Sequence, residues 1–354
     1  MFNMVTNKAS SLLVRCCDHS RLKCLFNRKL IKNFHIGVIG VPFWYGQSKL
    51  GTNQGPDVLR SHGLINKLSE LENRSVIDFG NIKLNTLDSI NIDRSLKQEI
   101  NPNVLNLQQA CLKTSRLVKN LIQNDFIPLM LGGDHSMAIG SVLGSFQAIS
   151  ETKQELSVIW IDAHADANTV QSSNSGNLHG MPVSFLVTQN LPTSSNGSPL
   201  DRMQPFLNAK NFVYIGLRDV EIQEYRLLKS YNICYYSMGD IDKLGINEVI
   251  ARAFDAVDPL GKNKLHVSFD VDSVDKLFIP STGTPVLGGL TIREVFTIAE
   301  NIWRTKRMVS LDVVEFNPLI GNPNEVDCSA NNIIDIILMF FGKSRLGYFP
   351  IENE

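Results

Sequence analysis

No apolar run in the chain reaches the ~18 residues that a membrane-spanning helix requires. Charge of one sign is not in excess either. The net charge is -1, so neither nucleic acid nor an anionic membrane exerts a general pull on the molecule. The six cysteines lack the spacing of a zinc site or a disulfide framework: Cys16 and Cys17 are adjacent, Cys24 follows, and Cys111, Cys234 and Cys328 are scattered. They read as reduced thiols. There is also no internal repeat, no low-complexity linker and no second apolar core, which leaves one large α/β unit.

Acidic residues are nearly missing from residues 1–33. Asp18 stands alone there against Lys8, Arg15, Arg21, Lys23, Arg28, Lys29 and Lys32. Thr6, Ser10, Ser11 and Ser20 are interspersed with apolar residues, and no long apolar core of a secretory signal is present. This is the composition of a mitochondrial transit peptide, with a cytosolic extension as the alternative. The folded part is expected over 34–348, followed by a short tail, 349–354.

From Phe34 onward, short buried-strand patterns alternate with helical ones. Strands are expected at Phe34–Pro42, Ser75–Gly80, Phe126–Leu131, Leu156–Ile161, Phe212–Leu217, Ile233–Tyr236, Leu265–Val271 and Met308–Val314. Helical spacing opens at Pro56, runs from Val104 to Ile122, starts again near Ser136, and recurs near 222–230, 244–256, 291–303 and 328–341. Residues 82–101 are polar and irregular, a surface loop. The alternation predicts a three-layer α/β/α fold whose mostly parallel sheet of about eight strands is covered on both faces. Ligands of such sheets bind at the carboxyl ends of the strands.

The chemistry-bearing residues cluster at those ends. Gly132-Gly133-Asp134-His135-Ser136 follows the third strand pattern. Asp162, His164 and Asp166 alternate with alanine after Leu156–Ile161. A strand's period of two projects all three from one face. Asp270 and Asp272 repeat this spacing, and Asp312 and Glu315 follow Met308-Val309-Ser310-Leu311. One strand-end aspartate commonly caps the next helix; several together, two sets with alternating spacing, exceed what capping explains. Converging charges in a buried place need neutralising. A carboxylate-rich, thiolate-free set with two imidazoles (His135, Asp162, His164, Asp166, Asp270 and Asp272) suits Mn(II), Co(II) or Fe(II) better than a structural zinc. Four carboxylates exceed the need of one ion, so two ions sharing carboxylates are expected, and with them metal-assisted hydrolysis.

With these motifs the chain resembles the ureohydrolase family, and its arginase branch in particular, from about His35 to about Tyr348. Gly132–Ser136, Asp162–Asp166 and Ser268-Phe269-Asp270-Val271-Asp272 stand as the family signatures. Asn168, Ser175-Gly176-Asn177-Leu178-His179-Gly180, Gly216-Leu217-Arg218-Asp219, Thr282-Gly283-Thr284-Pro285 and Glu315 with Asn317-Pro318 point to the arginase branch. The resemblance implies two Mn(2+) per chain. One ion would be held by His135, Asp162, Asp166 and Asp270, the other by Asp162, His164, Asp270 and Asp272. It implies hydrolysis of L-arginine to L-ornithine and urea by a hydroxide bridging the ions. Asp166 would steady the hydroxide, His179 would shuttle a proton, and Glu315 would pair with the guanidinium. Asn168, Ser175 and Asn177 would hold the α-carboxylate. Glu221 would face the α-amino group with Glu224 nearby, while His164 and Thr284 complete the substrate surroundings. A homotrimer is implied as well, with Arg345 as a possible subunit contact.

Three positions depart from the arginase pattern. Ala165 replaces a hydroxyl residue and Ala167 a larger apolar one, both on the strand face away from the ligands. Glu221 replaces an aspartate, keeping the charge and lengthening the reach by one methylene. His35, His266 and Asp312 are read as structural, and Asp275 is out of phase with Asp270 and Asp272. The competing readings are an agmatinase, whose substrate would leave Asn168, Ser175 and Asn177 without a partner, and a non-catalytic homologue, against which the six-residue ligand set stands.

Overall fold

The computed structural model describes residues 34–84, 102–188 and 206–346. In chain order these form β1 (Phe34–Val41), α1 (Gly55–Ser61), α2 (Leu64–Ser69), β2 (Arg74–Asn81), α3 (Pro102–Gln123), β3 (Phe126–Gly132), α4 (Ala138–Ser150) and β4 (Leu156–Ile161). Then come α5 (Pro182–Leu186), β5 (Val187–Thr188), β6 (Leu207–Asn208), β7 (Phe212–Leu217), α6 (Ile222–Ser230), β8 (Cys234–Ser237) and α7 (Met238–Leu244). The chain continues through α8 (Ile246–Val257), β9 (Lys264–Asp270), α9 (Ile292–Arg304), β10 (Met308–Val314) and α10 (Pro323–Phe340).

The expected fold class is the one observed. Eight strands pair in the order β2-β1-β3-β10-β9-β4-β7-β8, every pairing parallel. Alternate residues feed two separate cores. Ile159, Ile161, Val267, Phe269, Leu311 and Val313 face one side with residues of α1, α2, α8, α9 and α10. Val158, Trp160, Phe212 and Tyr214 face the other with residues of α3, α4 and α5. Apolar side chains alternating onto two covered faces are what an all-parallel sheet requires.

The middle of that second face is polar. His266 and Ser268 on β9, and Ser310 and Asp312 on β10, are fully buried there. His266 Nε2 lies 3.0 Å from Asp312 Oδ2, and its Nδ1 lies 2.9 Å from Ser145 Oγ of α4. Ser141 of α4 donates to the same Asp312 carboxylate. His266, Asp312, Ser141 and Ser145 are linked across the sheet–helix contact, as buried polar groups generally are, while Ser310 Oγ and Asp312 Oδ1 are buried without a hydrogen-bond partner.

Several element boundaries moved for identifiable reasons. The helical pattern after Pro56 splits into α1 and α2 because Gly63 takes a left-handed φ of 86°. Gly245, at φ 79°, likewise ends α7 and starts α8. The last helix begins at Pro323, where Asn322 and Glu325 form a reciprocal capping box that apolar spacing does not report. The leader, most of the 82–101 loop and the 349–354 tail lie outside the described residues. No helix among the described residues is long and apolar enough to cross a membrane, and Cys111, Cys234 and Cys328 are free thiols.

Candidate metal centre

Four adjacent strands, β3-β10-β9-β4, end side by side, and the loops that leave them carry the site. The turn after β3 presents His135. Its approach depends on Gly133: a Cβ there would lie 1.6 Å from the Phe43 carbonyl oxygen, so the loop after β1 can lie directly on the turn. Gly133 N–H then donates to Val41 O at 2.9 Å and Asp134 N–H to Phe43 O at 2.9 Å. The Asp134 carboxylate caps the following turn, accepting from Ser136 N–H at 3.1 Å, and also accepts from Gly46 N–H at 2.7 Å. Burial pushes its pKa up to about 7, with the Glu315 charge adding to the effect.

The residues named from the sequence converge here. His135 Nδ1 lies 3.1 Å from Asp162 Oδ2, 3.1 Å from Asp166 Oδ2 and 3.1 Å from Asp270 Oδ2. His164 Nδ1 lies 3.5 Å from Asp162 Oδ1 and 3.3 Å from Asp272 Oδ2. Two groups therefore form, His135/Asp162/Asp270 and Asp162/His164/Asp272, with Asp162 common to both. Outer contacts fix the ligand atoms. His135 Nε2 meets Ser268 Oγ at 2.8 Å, and Asp162 Oδ2 accepts from Trp160 Nε1 at 2.9 Å. Asp270 Oδ1 accepts from Asp272 N–H at 2.8 Å, and Asp272 Oδ2 accepts from Thr284 Oγ1 at 2.8 Å. A hydrogen bond on the far ring nitrogen fixes which nitrogen of a histidine is free to bind a metal; for His135 that leaves Nδ1.

The arrangement fits cations. His135 Nδ1 and Asp272 Oδ1 are buried without a hydrogen-bond partner. The three oxygens around His135 Nδ1 crowd it without aligning as acceptors, whereas atoms ligating one ion at right angles and ~2.1 Å stand roughly 3 Å apart. Protonation reflects the same crowding. Burial and the Asp162 charge raise Asp166 to about 6, and burial with the Asp272 charge puts Asp270 well above the carboxylate range. Burial opposes a charged His164, but Asp272 and Asp162 outweigh it and carry its pKa to about 12.

Beside the metal groups, Glu315 Oε1 accepts from His135 N–H at 2.8 Å and meets His179 Nδ1 at 3.0 Å. Burial opposes both charges. The pair prevails, holding Glu315 below its usual value and raising His179 to about 9. Asp166 and Glu315 both have left-handed backbones, φ 49° and 67°. Side-chain residues held in that region cluster at functional sites.

The proposed substrate loop is placed at the rim. Asn168 is buried and its Oδ1 accepts from Ser172 Oγ at 2.8 Å. Ser175 is exposed and its Oγ accepts from Asn177 N–H at 3.3 Å. Glu221, exposed at the start of α6, takes Asn174 Nδ2 at 3.4 Å. Glu224 differs from it: it is buried, and its two oxygens accept Ala167 N–H at 3.0 Å and Glu221 N–H at 3.0 Å. It straps the loop after β4 to the start of α6. Arg218 also acts as a strap, donating to the carbonyls of Asp272 at 2.6 Å, Ser273 at 3.1 Å and Val286 at 2.9 Å. Asp275, left out of the ligand set, accepts backbone N–H groups of Leu277, Gly288 and Gly289. No role for Trp160 or Gln47 is read from the sequence, and Ser268 enters there only as part of a signature. An indole, a hydroxyl and an amide inside ordinary strand and loop patterns carry no signal of such contacts.

A parallel α/β sheet with two His/Asp groups at its strand ends, sharing one aspartate and each able to hold a cation, matches the class of two-metal hydrolases. Comparison with known proteins narrows this. The arginase family model matches residues 34–339. Arginase-1 of Bos taurus is 42% identical over 320 residues, covering 90% of this chain and 96% of the relative. The mitochondrial arginase-2 of Homo sapiens is 39% identical over 346 residues, covering 97% of this chain and 93% of the relative. The crystal structure of Entamoeba histolytica arginase in complex with L-ornithine superposes with a TM-score of 0.75 at 25% identity, covering 88% of this chain and all (100%) of that one. The chain belongs to the arginase family.

Proposed function

We propose that the protein is a two-metal hydrolase that converts L-arginine and water to L-ornithine and urea. The observation that carries this reading is the sharing of Asp162 between two ligand groups of opposite ends, His135 on one side and His164 with Asp272 on the other. The named relatives are arginases, one of them solved with L-ornithine bound.

His135, Asp162, Asp166 and Asp270 would hold one ion, and Asp162, His164, Asp270 and Asp272 the other. Manganese is the ion we assign, since the donors are hard oxygens and imidazoles without thiolate. Bound there, the ions supply water activated for attack at neutral pH and neutralise charge developing at the reacting carbon. The protein's own groups do the rest. Glu315, ionised by its contact with His179, faces the guanidinium and orients it. Asp166, whose Oδ2 lies 3.1 Å from His135 Nδ1, orients the attacking water. His179 carries a second proton at neutral pH because of Glu315, so it can deliver one to the departing δ-nitrogen of ornithine. Asn168, Ser175 and Asn177 take the α-carboxylate, while Glu221 and, behind it, Glu224 set the α-amino end. Thr284 holds Asp272 in place.

We assign residues 34–348 to the catalytic domain, the basic leader to import into the mitochondrial matrix, and a homotrimer to the assembly. In the single protomer Arg345 meets Glu300 at 3.0 Å and Thr297 at 2.8 Å on α9. The test of the reaction is urea release from arginine and from agmatine, with and without manganese. Urea from arginine only with manganese is expected. Faster turnover of agmatine would shift the substrate, and no urea from either would make the chain a non-catalytic homologue.

A further inference from the structure

The loop after β1 brings a residue to the site that none of the family motifs includes. Gln47 is 8% exposed, and its Nε2 donates to Glu315 Oε2 at 2.7 Å. The other oxygen of Glu315 is already engaged by His135 N–H at 2.8 Å and His179 Nδ1 at 3.0 Å. A carboxylate has about four acceptor positions, two on each oxygen. Three are taken by the protein, so one remains. A guanidinium edge presents two parallel N–H groups, and the second has to find an acceptor elsewhere.

Gln47 is placed to supply it. An ionised carboxylate only accepts, so the amide must turn its NH2 toward Glu315, which sends its carbonyl oxygen the other way. Both acceptors border the space above Gly283. A Cβ at that position would lie 3.0 Å from Gln47 Oε1 and 3.9 Å from Glu315 Oε2. Lys49 of the same loop donates to the Gly283 carbonyl, which ties the two segments together.

We propose that Gln47 completes the guanidinium receptor: its Nε2 positions Glu315, and its Oε1 accepts the N–H for which Glu315 has no free lone pair. A neutral carbonyl does this without a second negative charge beside Glu315, which like-charge repulsion would drive toward protonation. The proposal rests on the arginine reading of the site.

The test compares wild type, Gln47→Leu and Gly283→Ala, each loaded with manganese. Steady-state urea release gives KM and kcat for arginine. Calorimetry gives Kd for ornithine, which has the same α-amino acid end and no guanidinium. Losing one buried hydrogen bond to a charged group corresponds to roughly 10- to 100-fold. Both variants are expected to lose about tenfold or more in kcat/KM for arginine, while ornithine binds within about twofold of wild type and manganese content is unchanged. Gly283→Ala places a methyl against Gln47 Oε1 and fills the space between the two acceptors while keeping the glutamine itself, so it decides the matter should Gln47→Leu fold poorly. Parallel weakening of arginine and ornithine, or arginine kinetics within about twofold of wild type in both variants, would overturn the proposal. Should the wild type release no urea, the reaction assignment fails by itself; arginine is then not consumed, and its own calorimetric Kd in the three proteins decides the Gln47 assignment by the same criteria.

Discussion

Trp160 and Asp162 are joined by a hydrogen bond of 2.9 Å, from the indole Nε1–H to Oδ2. The same indole lies flat on the His135 ring, with centroids 4.1 Å apart and planes 10° from parallel. One buried side chain therefore sets two proposed ligands that arrive from different strands. Trp160→Phe keeps an aromatic face for His135 and removes the donor to Asp162. Loss of such an outer partner typically costs about 10- to 100-fold in metal affinity. We expect manganese affinity to fall by about tenfold or more, read by titration with a metal indicator. Unchanged affinity would show that Asp162 holds its orientation without the indole.

This contact marks the limit of what the sequence discloses. The alternation Asp162, His164, Asp166 and its echo in Asp270, Asp272 pointed to the proposed ligand set because strand geometry turns spacing of two into a shared face. The sheet was legible for the same reason: apolar runs of strand length alternate with helical spacing. Residues whose role depends on tertiary approach stayed hidden. Nothing local to Gln47 reveals that it reaches Glu315, 268 residues away, and the left-handed backbones of Asp166 and Glu315 are imposed by their surroundings rather than by residue type. Glu224 was legible as a neighbour of the site, but its two backbone acceptor contacts appear only once α6 packs against the loop after β4.

Metal binding should be strongly linked to pH. In the metal-free protein, His164 has a pKa raised to about 12, and Asp166 one raised to about 6. For a histidine whose folded pKa is raised, the stabilising contribution is complete below its unfolded value near 6.5 and is lost as pH climbs toward the folded value. The raised Asp166 likewise favours the folded state only while protonated, so its contribution declines from about pH 4 through pH 6. Cations need these groups deprotonated. The gap in Tm between manganese-loaded and metal-free protein is therefore expected to widen from pH 6 to pH 9, with protons released on loading. A gap independent of pH would separate these groups from the metal.

The Asp312–His266 pair, with Nε2 and Oδ2 3.0 Å apart and both residues fully buried, gives the opposite signature. Asp312→Ala removes the partner of His266 Nε2 and the carboxylate that Ser141 donates to, leaving His266 its contact to Ser145 and Ser141 its bond to the Ala138 carbonyl. Leaving a buried hydrogen-bonding group unsatisfied costs about 1–3 kcal/mol. A denaturant midpoint lowered accordingly, with manganese stoichiometry unchanged in the protein that remains folded, is expected. Loss of one ion per chain at undiminished stability would transfer Asp312 from the fold to the metal centre.

Glu221 offers the sharpest comparison with the arginase pattern, where an aspartate stands. Its carboxylate reaches outward to Asn174 Nδ2 at 3.4 Å, an exposed contact that water can replace at little cost. Its backbone N–H is held by Glu224 at 3.0 Å, so the start of α6 does not depend on the length of the 221 side chain. Aspartate is also a better helix N-cap than glutamate, because its shorter chain returns to the first-turn N–H groups. Glu221→Asp therefore keeps the helix start and draws the charge back by one methylene, away from Asn174. Substrate positioning is sensitive to shifts of about 1 Å. We expect a lower KM for arginine with kcat nearly unchanged, because the role proposed for the residue is at the α-amino end and not at the guanidinium carbon. Manganese content, expected to be unchanged, serves as the control for effects that spread to the metal centre. A fall in kcat with KM unaltered would place Glu221 in the chemical step, and near-total loss of activity would mean that its longer side chain is needed to close the pocket.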